Sequence, residues 1–588
     1  MKIKLTAAAI LVFSSVLAYT SVWNDSFIVD EIPHVGAGYS YVTKNDFRLN
    51  PEHPPLVKDL AGLALLTLDL NQSAFGTRFW NTDTNGQWEF GRNFIFNSGN
   101  NAVLITRVAK LPMLLFFFLC GILIFLWAKK LYGPKAGLIG VFLFAFSPTV
   151  VAHSRFVTTD MAALFGVLLG TYFFLHYLEH RGTGNLWLAG LTFGVAQLTK
   201  FSAFILAPYF VLLAVVAALY IHGGKIKNLF KTAVGTAAIF AIGFIFVVWP
   251  VYGIHTINYP PEKQKTDTTY YLGSYGNRTF ADPVVWASDK PFIRSLDHYA
   301  TGLLMVNQRA IGGNTTYFLG EIRNVAWKHY FPVVYFIKEP LPFWFLLIIV
   351  LLFLAAKMKF SIFNFQFSKI RSLIKNHFTE LSMLLWIAVY WYLSINSNLN
   401  IGVRHLLPTY GFVFILLAGQ LNKLIDIAKA KKRVVRYSFM ALLSVLFGWY
   451  LAENLRVFPY YITYFNQAAG GPKGGYVHVV DSNVDWGQDA KRLADWVDAQ
   501  GVQKISLDYF GWADAGYYLG KKYSWINAGK YKNAREFLAD NPGGGYIAVS
   551  KSYFMGSREK KETSYAWLDA YTPVADIGNS IFVWHITP

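Results

Sequence analysis

The chain predicts a polytopic α-helical membrane protein of about eleven transmembrane helices with a soluble α/β domain at its C-terminal end. Three observations carry that expectation. Over 588 residues the mean hydropathy is +0.33 and 54% of the residues are apolar, too much for one soluble domain. Many apolar runs reach the roughly 17 to 25 residues that a bilayer crossing needs. At Phe458 the composition turns polar, with glycine clusters such as Gly470-Gly471 and Gly543 to Gly545 and no further apolar run of that length.

In chain order the spans are expected near 5–22, 108–128, 136–152, 161–178, 186–199, 202–221, 232–251, 341–356, 380–396, 405–421 and 437–455. The first begins with Lys2 and Lys4, as a signal peptide would, but lacks a small-residue cleavage site and is read as a retained span. An odd number of spans puts the termini on opposite sides. Basic residues fall in alternate loops: Lys2 and Lys4, Lys129 to Lys135, Arg181, Lys225 to Lys231, 357–375, and 423–436. By the positive-inside rule these loops are cytoplasmic, with the protein in the inner (plasma) membrane and its N-terminus in the cytoplasm. The transmembrane unit would cover 1–457 and carry long outer loops at 23–107 and 252–340. The outer domain would cover 458–588, with strands at 477–480, 505–509, 546–550 and 580–585 and helices at 489–499 and 534–539. The net charge of +19 follows from topology, and no nucleic-acid partner is needed to account for it. The single cysteine, Cys120, lies in a span and defines no disulfide framework.

The outer loops hold the candidate chemistry. Asp30 and Glu31 follow the first span at once, where a partly desolvated carboxylate would serve as a general base; the same pair would also simply end a span in water. Asn50 to Pro55 is a stiff run whose three prolines present Glu52 and His53, with Lys58 one helical turn on. A carboxylate, an imidazole and an ammonium together could hold a metal or a phosphate. Asp160 opens a later span, and Lys200, Lys338 and Arg404 are outward cations beside spans, where snorkelling is the ordinary account. Among them Arg404 starts a span and could grip a phosphate bidentately. His255 and His329 in the second outer loop could complete a metal site with Glu52. In the tail, Asp481 to Asp489 alternates oxygen side chains as a calcium loop does, but in the wrong register, so a turn followed by a helix start at Asp489 is expected, with Trp486 packing.

Asp30-Glu31 after the first span, His53-Pro54-Pro55 with Lys58 in the same loop, Thr158-Thr159-Asp160, Leu198 to Ser202 and Gly402 to Pro408 together resemble the C-type (GT-C) membrane glycosyltransferases. The closest resemblance is to the protein O-mannosyltransferase and aminoarabinose transferase superfamily. It implies a GT-C-like fold and an inverting transfer of sugar from a polyprenyl-phosphate carrier to an acceptor on the outer face. Asp30 would then be the catalytic base supported by Glu31, with Asp160 a second acid. His53, Lys58, Lys200 and Arg404 would contact carrier phosphate. Glu52 matches an acid used beside a metal, with His255 as a second ligand to a divalent ion of unspecified identity. His53 stands where the aminoarabinose transferases have a Lys, a departure that leaves the metal role less constrained.

No nucleotide-binding motif is present, as expected when the leaving group is a lipid phosphate. A protein and an envelope glycolipid both fit as acceptor, and the lipid bilayer is the remaining partner. A polytopic transporter of a lipid-linked or anionic substrate is the competing class. Charges gathered at one face rather than at the midplane, two long outer loops and an outer domain favour the enzyme. A non-catalytic scaffold would have no reason to keep these acids and cations on one side.

Overall fold

The computed structural model describes residues 1–359 and 367–588, so the middle of the basic loop expected at 357–375 lies outside the described residues. Among the described residues, eight helices are long and apolar enough to cross a membrane: Lys2–Ser21 (α1), Ala102–Tyr132, Thr159–Glu179, Phe201–Ile221, Ile226–His255, Phe378–Asn396, Val403–Lys429 and Arg433–Val457. A ninth arises if Tyr330–Lys338 and Leu341–Lys357, bent by 110° where Pro340 denies the helix a donor, form one span. The two remaining expected spans fall on shorter helices. The first, Pro134–Ala145, ends before Ser147, whose hydroxyl accepts from the Val150 amide and caps a new helix starting at Pro148. The second is Thr183–Gln197.

One end of the bundle ties basic loops together: Lys130 lies 3.6 Å from Glu179, Arg181 bonds Thr232, and Asn422 donates to the Tyr132 carbonyl. The opposite end carries the two long loops. The first contains Glu31–Lys44 (α2) and Leu56–Leu65 (α3), which touch through glycines. A Cβ on Gly38 would stand 2.1 Å from the Lys58 carbonyl oxygen, and one on Gly62 2.2 Å from that of Gly38. This close approach fixes the proline-rich turn against α2. The second loop adds helix Arg294–Gly312 and a small antiparallel hairpin, Thr316–Phe318 (β1) with Glu321–Arg323 (β2).

The C-terminal region holds a five-stranded sheet: Ile505–Asp508 (β3), Tyr523–Trp525 (β4), Gly545–Ser550 (β5), Ala575–Ile577 (β6) and Ile581–Ile586 (β7), in the order β4-β3-β5-β7-β6. β4, β3 and β5 are parallel, and β7 and β6 close the edge antiparallel. Alternation along the strands feeds two cores. Leu507, Ala548 and Val583 pack with Leu493 and Val497 of helix Ala490–Ala499 and with Ala515 and Leu519 of helix Ala515–Leu519. Ile547, Val549 and Trp584 pack with Phe537 of helix Ala534–Asp540 and Phe554 of helix Lys551–Gly556. The expected strand at 477–480 does not form: Gly475–Val477 is a 3-10 turn, and Val479 makes one isolated bridge to Phe318. The short strands β4 and β6 give too few alternating residues to be read from sequence.

Candidate active site

Four of the expected site residues, from four separate segments, form one chain of contacts at the loop-bearing end. Asp30 is the N-cap residue of α2, but its carboxylate makes no capping bond; Oδ2 lies 3.0 Å from Arg404 Nη1. The same Nη1 lies 3.4 Å from Asp160 Oδ2, and Asp160 Oδ1 takes a 2.6 Å bond from Lys200 Nζ. Asp160 belongs to the first turn of helix Thr159–Glu179, where the helix dipole favours an anion. Lys200 sits in the extended step between helix Thr183–Gln197 and the 3-10 turn Phe201–Ile205, and Arg404 in the 3-10 turn Val403–Leu406. The side chain of Asp30 is 25% exposed and that of Asp160 1%. Asp30 is therefore open to solvent, while Asp160 is sealed between the two cations.

Residues 481–489 hold this arrangement from above. The amides of Ser26 and Val29 donate to the Gln488 and Trp486 carbonyls, fixing the approach to Asp30. Asn483 Oδ1 accepts from the Val403 amide, Ser482 donates to the Ile401 carbonyl, and the Trp486 ring lies 4.1 Å under the Arg404 guanidinium. The string is thus a turn, with Asp489 bonded to Arg492 and Ser580 just before helix Ala490–Ala499 rather than facing a shared ion.

The other expected residues separate into distinct roles. Glu31 is fully buried: its carboxylate accepts from the Ile28 and Val157 amides and pairs with Lys110 at 3.1 Å. It pins the turn that carries Asp30. Lys58 is also buried, and its Nζ donates to the Tyr41 hydroxyl, the Asn50 carbonyl and Oδ1, and the His53 carbonyl. Burial holds its ammonium well below the ordinary lysine range. With its acceptors all internal, Lys58 braces the proline-rich turn. Lys338 is likewise committed, to the Ile462 and Asn483 carbonyls.

His53 stands edge-on to His34, ring centroids 5.0 Å apart, with Nδ1 buried and unpartnered. His34, one turn along α2 from Asp30, bonds the Val157 carbonyl at 2.7 Å. Burial lowers both imidazoles, His34 to about 4, so both are neutral near pH 7. Glu52 Oε1 receives long bonds from Asn50 and Gln87; burial raises its carboxyl, opposed by Arg309. His255 does not join it: Nε2 is 2.7 Å from Asp59 and Nδ1 2.6 Å from the Val251 carbonyl, so both ring nitrogens are taken. Glu52 and His255 therefore do not share one ion in this arrangement. Among the described residues, the group whose ligand atoms do converge, His176, Glu179 and His180, lies at the opposite end of helix Thr159–Glu179 from Asp160.

Sequence reading missed His34 and Arg309, and gave Asp481 and Trp486 only a place in a turn beside a helix start. The spacing of four between Asp30 and His34 was the available signal for the first. Asp481, at φ +59 in the left-handed region, lies within electrostatic reach of Arg404, Asp30 and Arg309, and burial raises it to about 6.

Residues 103–250 match the family model described as dolichyl-phosphate-mannose-protein mannosyltransferase, a stretch that includes Asp160 and Lys200. No curated protein matches the chain. Among solved structures, the chain is similar to the archaeal oligosaccharyltransferase AglB from Archaeoglobus fulgidus, in complex with an inhibitory peptide and a dolichol-phosphate: 14% identity, 96% of this chain and 72% of that one, TM-score 0.46. It is also similar to ArnT from Cupriavidus metallidurans bound to undecaprenyl phosphate, with 12% identity, 99% and 98% coverage and TM-score 0.44. A third similarity is to the S. cerevisiae protein O-mannosyltransferase Pmt1-Pmt2 complex bound to the sugar donor, with 21% identity, 43% and 34% coverage and TM-score 0.33.

Proposed function

We propose that this chain is an inverting glycosyltransferase of the GT-C class, moving a sugar from a polyprenyl-phosphate carrier to an acceptor hydroxyl at the extracytoplasmic face of the membrane. The observation that carries the reading is the Asp30–Arg404–Asp160–Lys200 chain, in which two cations join a solvent-reachable carboxylate to a buried one. The family match over the segment bearing Asp160 and Lys200 supports it. The basic loops at the other end of the bundle support the orientation, with the N-terminus cytoplasmic and 458–588 outside.

In the reaction, Asp30 takes the proton of the acceptor hydroxyl as that oxygen bonds the anomeric carbon. The bond from that carbon to the phosphate oxygen breaks on the opposite face, and the electron pair leaves with the carrier phosphate. Arg404 and Lys200 receive the developing negative charge. Arg404 Nε is buried without a partner, a donor still uncommitted after its contacts to Asp30 and Asp160. Each such donor is worth on the order of 3 kcal/mol in the barrier. Neutral His53 adds a hydrogen-bonding group without adding charge. The acceptor is a protein or an envelope glycolipid.

The test is transfer of label from polyprenyl-phosphate sugars to membrane extracts of cells lacking the protein, with the purified chain in proteoliposomes. Asp30→Asn is expected to lose activity by about 10³-fold while unfolding at the wild-type temperature. Near-normal turnover in that variant removes Asp30 as the base, and with it this mechanism.

A further inference from the structure

We infer that the crevice at the C-terminal ends of β3, β4 and β5 is a carbohydrate-binding site, separate from the Asp30 cluster. In a parallel sheet, ligands bind beyond the carboxyl ends of the strands, where successive connections leave toward opposite faces. That condition is met between β3 and β5. The chain leaving β3 enters helix Ala515–Leu519 on one face, and the chain leaving β5 enters helix Lys551–Gly556 on the other. A crevice of about 720 Å³ opens there, lined by Asp508, Trp512, Asp514, Trp525 and Tyr553.

The lining has the chemistry of a pyranose. Trp525 is 62% exposed, Tyr553 41% and Trp512 38%, costly positions for large aromatic faces unless something covers them. Such faces take up the C–H side of a sugar ring, and the ring's hydroxyls then need charged or amide partners. Asp508, held by the Tyr565 hydroxyl at 2.7 Å, and Asp514, paired with Arg92 at 2.9 Å, stand in the same crevice with Arg92. The aromatic platform is braced from outside the sheet, since Trp88 packs against Trp512 with ring centroids 5.0 Å apart and planes tilted by 35°.

Trp88 and Arg92 belong to the short helix Gln87–Arg92, whose first residue bonds Glu52. One rigid turn thus joins the crevice to the loop of the candidate active site. We assign the crevice to a glycan portion of the acceptor; that assignment rests on the transferase reading, whereas the binding site itself does not.

Intrinsic tryptophan fluorescence of the full-length protein in detergent, titrated with cellobiose, maltose, chitobiose and a glycine-serine peptide, tests the site without turnover. Saturable binding of at least one sugar is expected, about tenfold weaker in Trp525→Ala and unchanged in Asp30→Asn. No saturable change with any sugar up to millimolar concentration, equal binding in Trp525→Ala, loss in Asp30→Asn, or binding of the peptide alone overturns the inference. In the transfer assay, Trp525→Ala is expected to raise KM for the acceptor and leave kcat in place. An unchanged KM alongside weakened sugar binding would retain the site and remove its assignment to the acceptor.

Discussion

Asp30 and Glu31 are consecutive, both acidic, and both held in contact with a cation, yet the first keeps a quarter of its side chain open while the second is sealed. Beside Asp30, Arg404 is 9% exposed and keeps a buried unpaired donor, and Lys200, bonded to Asp160, is 13% exposed. Around Glu31 every partner is internal: two backbone amides and Lys110. The difference shows how one turn can hold one acid open while burying its neighbour. Glu31 anchors the backbone on both sides, at Ile28 and Val157, and α2 then starts at a fixed point with Asp30 at its head.

The largest effect that would sharpen this contrast is on folding. Glu31→Gln leaves Lys110 charged and unpaired in the interior, and about 3 to 5 kcal/mol of stability should be lost. Thermal unfolding in detergent measures it, with activity per folded molecule largely kept. A Glu31→Gln protein as heat-resistant as wild type but inactive would reverse the two roles. Next in size, Arg404→Lys retains charge but loses the fork and the stacking on Trp486. Turnover should fall about 10²-fold, on the order of 2.7 kcal/mol, at an unchanged unfolding temperature, and full activity would show that a point charge suffices.

The smallest effect concerns the string that braces the site. Asp485 is buried, and desolvation raises its carboxyl to about 8. Because the folded form holds this proton more tightly than the unfolded form, its contribution to stability is present below the ordinary value of 3.8 and lost as pH rises through about 8. Asp485→Asn should therefore flatten the decline in unfolding temperature over that window, with a gain of about 2 °C at the alkaline end. Parallel pH profiles for the two proteins would leave Asp485 no part in it.

Much of this was legible before any coordinates. Expected spans fall mostly on helix because apolar runs dominate their local context; the break at Ser147-Pro148 and the bend at Pro340 come where the backbone donor is missing, while the span near 186–199 lies on the shorter helix Thr183–Gln197. Asp30, Asp160, Lys200 and Arg404 were visible because a charge at the end of an apolar run has few reasons to be there. The contacts of Lys58 and His255 were hidden for the converse reason. Their partners are main-chain carbonyls and an aspartate brought in by the packing of α2 on α3, which no residue spacing encodes. Trp486 was expected only to pack; that it packs on Arg404 depends on the tail returning to the bundle.

That return sets an order of events during synthesis. The Asp30–Arg404 contact spans 374 positions along the chain, and the Ala490–Ser26 bond spans 464. A nascent polypeptide stopped after its final bilayer-crossing helix would own the acids and cations but lack the tryptophan platform and the strand-like grip on 26–29. The platform under Arg404 and the grip on 26–29 therefore form only after residues 481–489 have been made and have packed against the start of the chain.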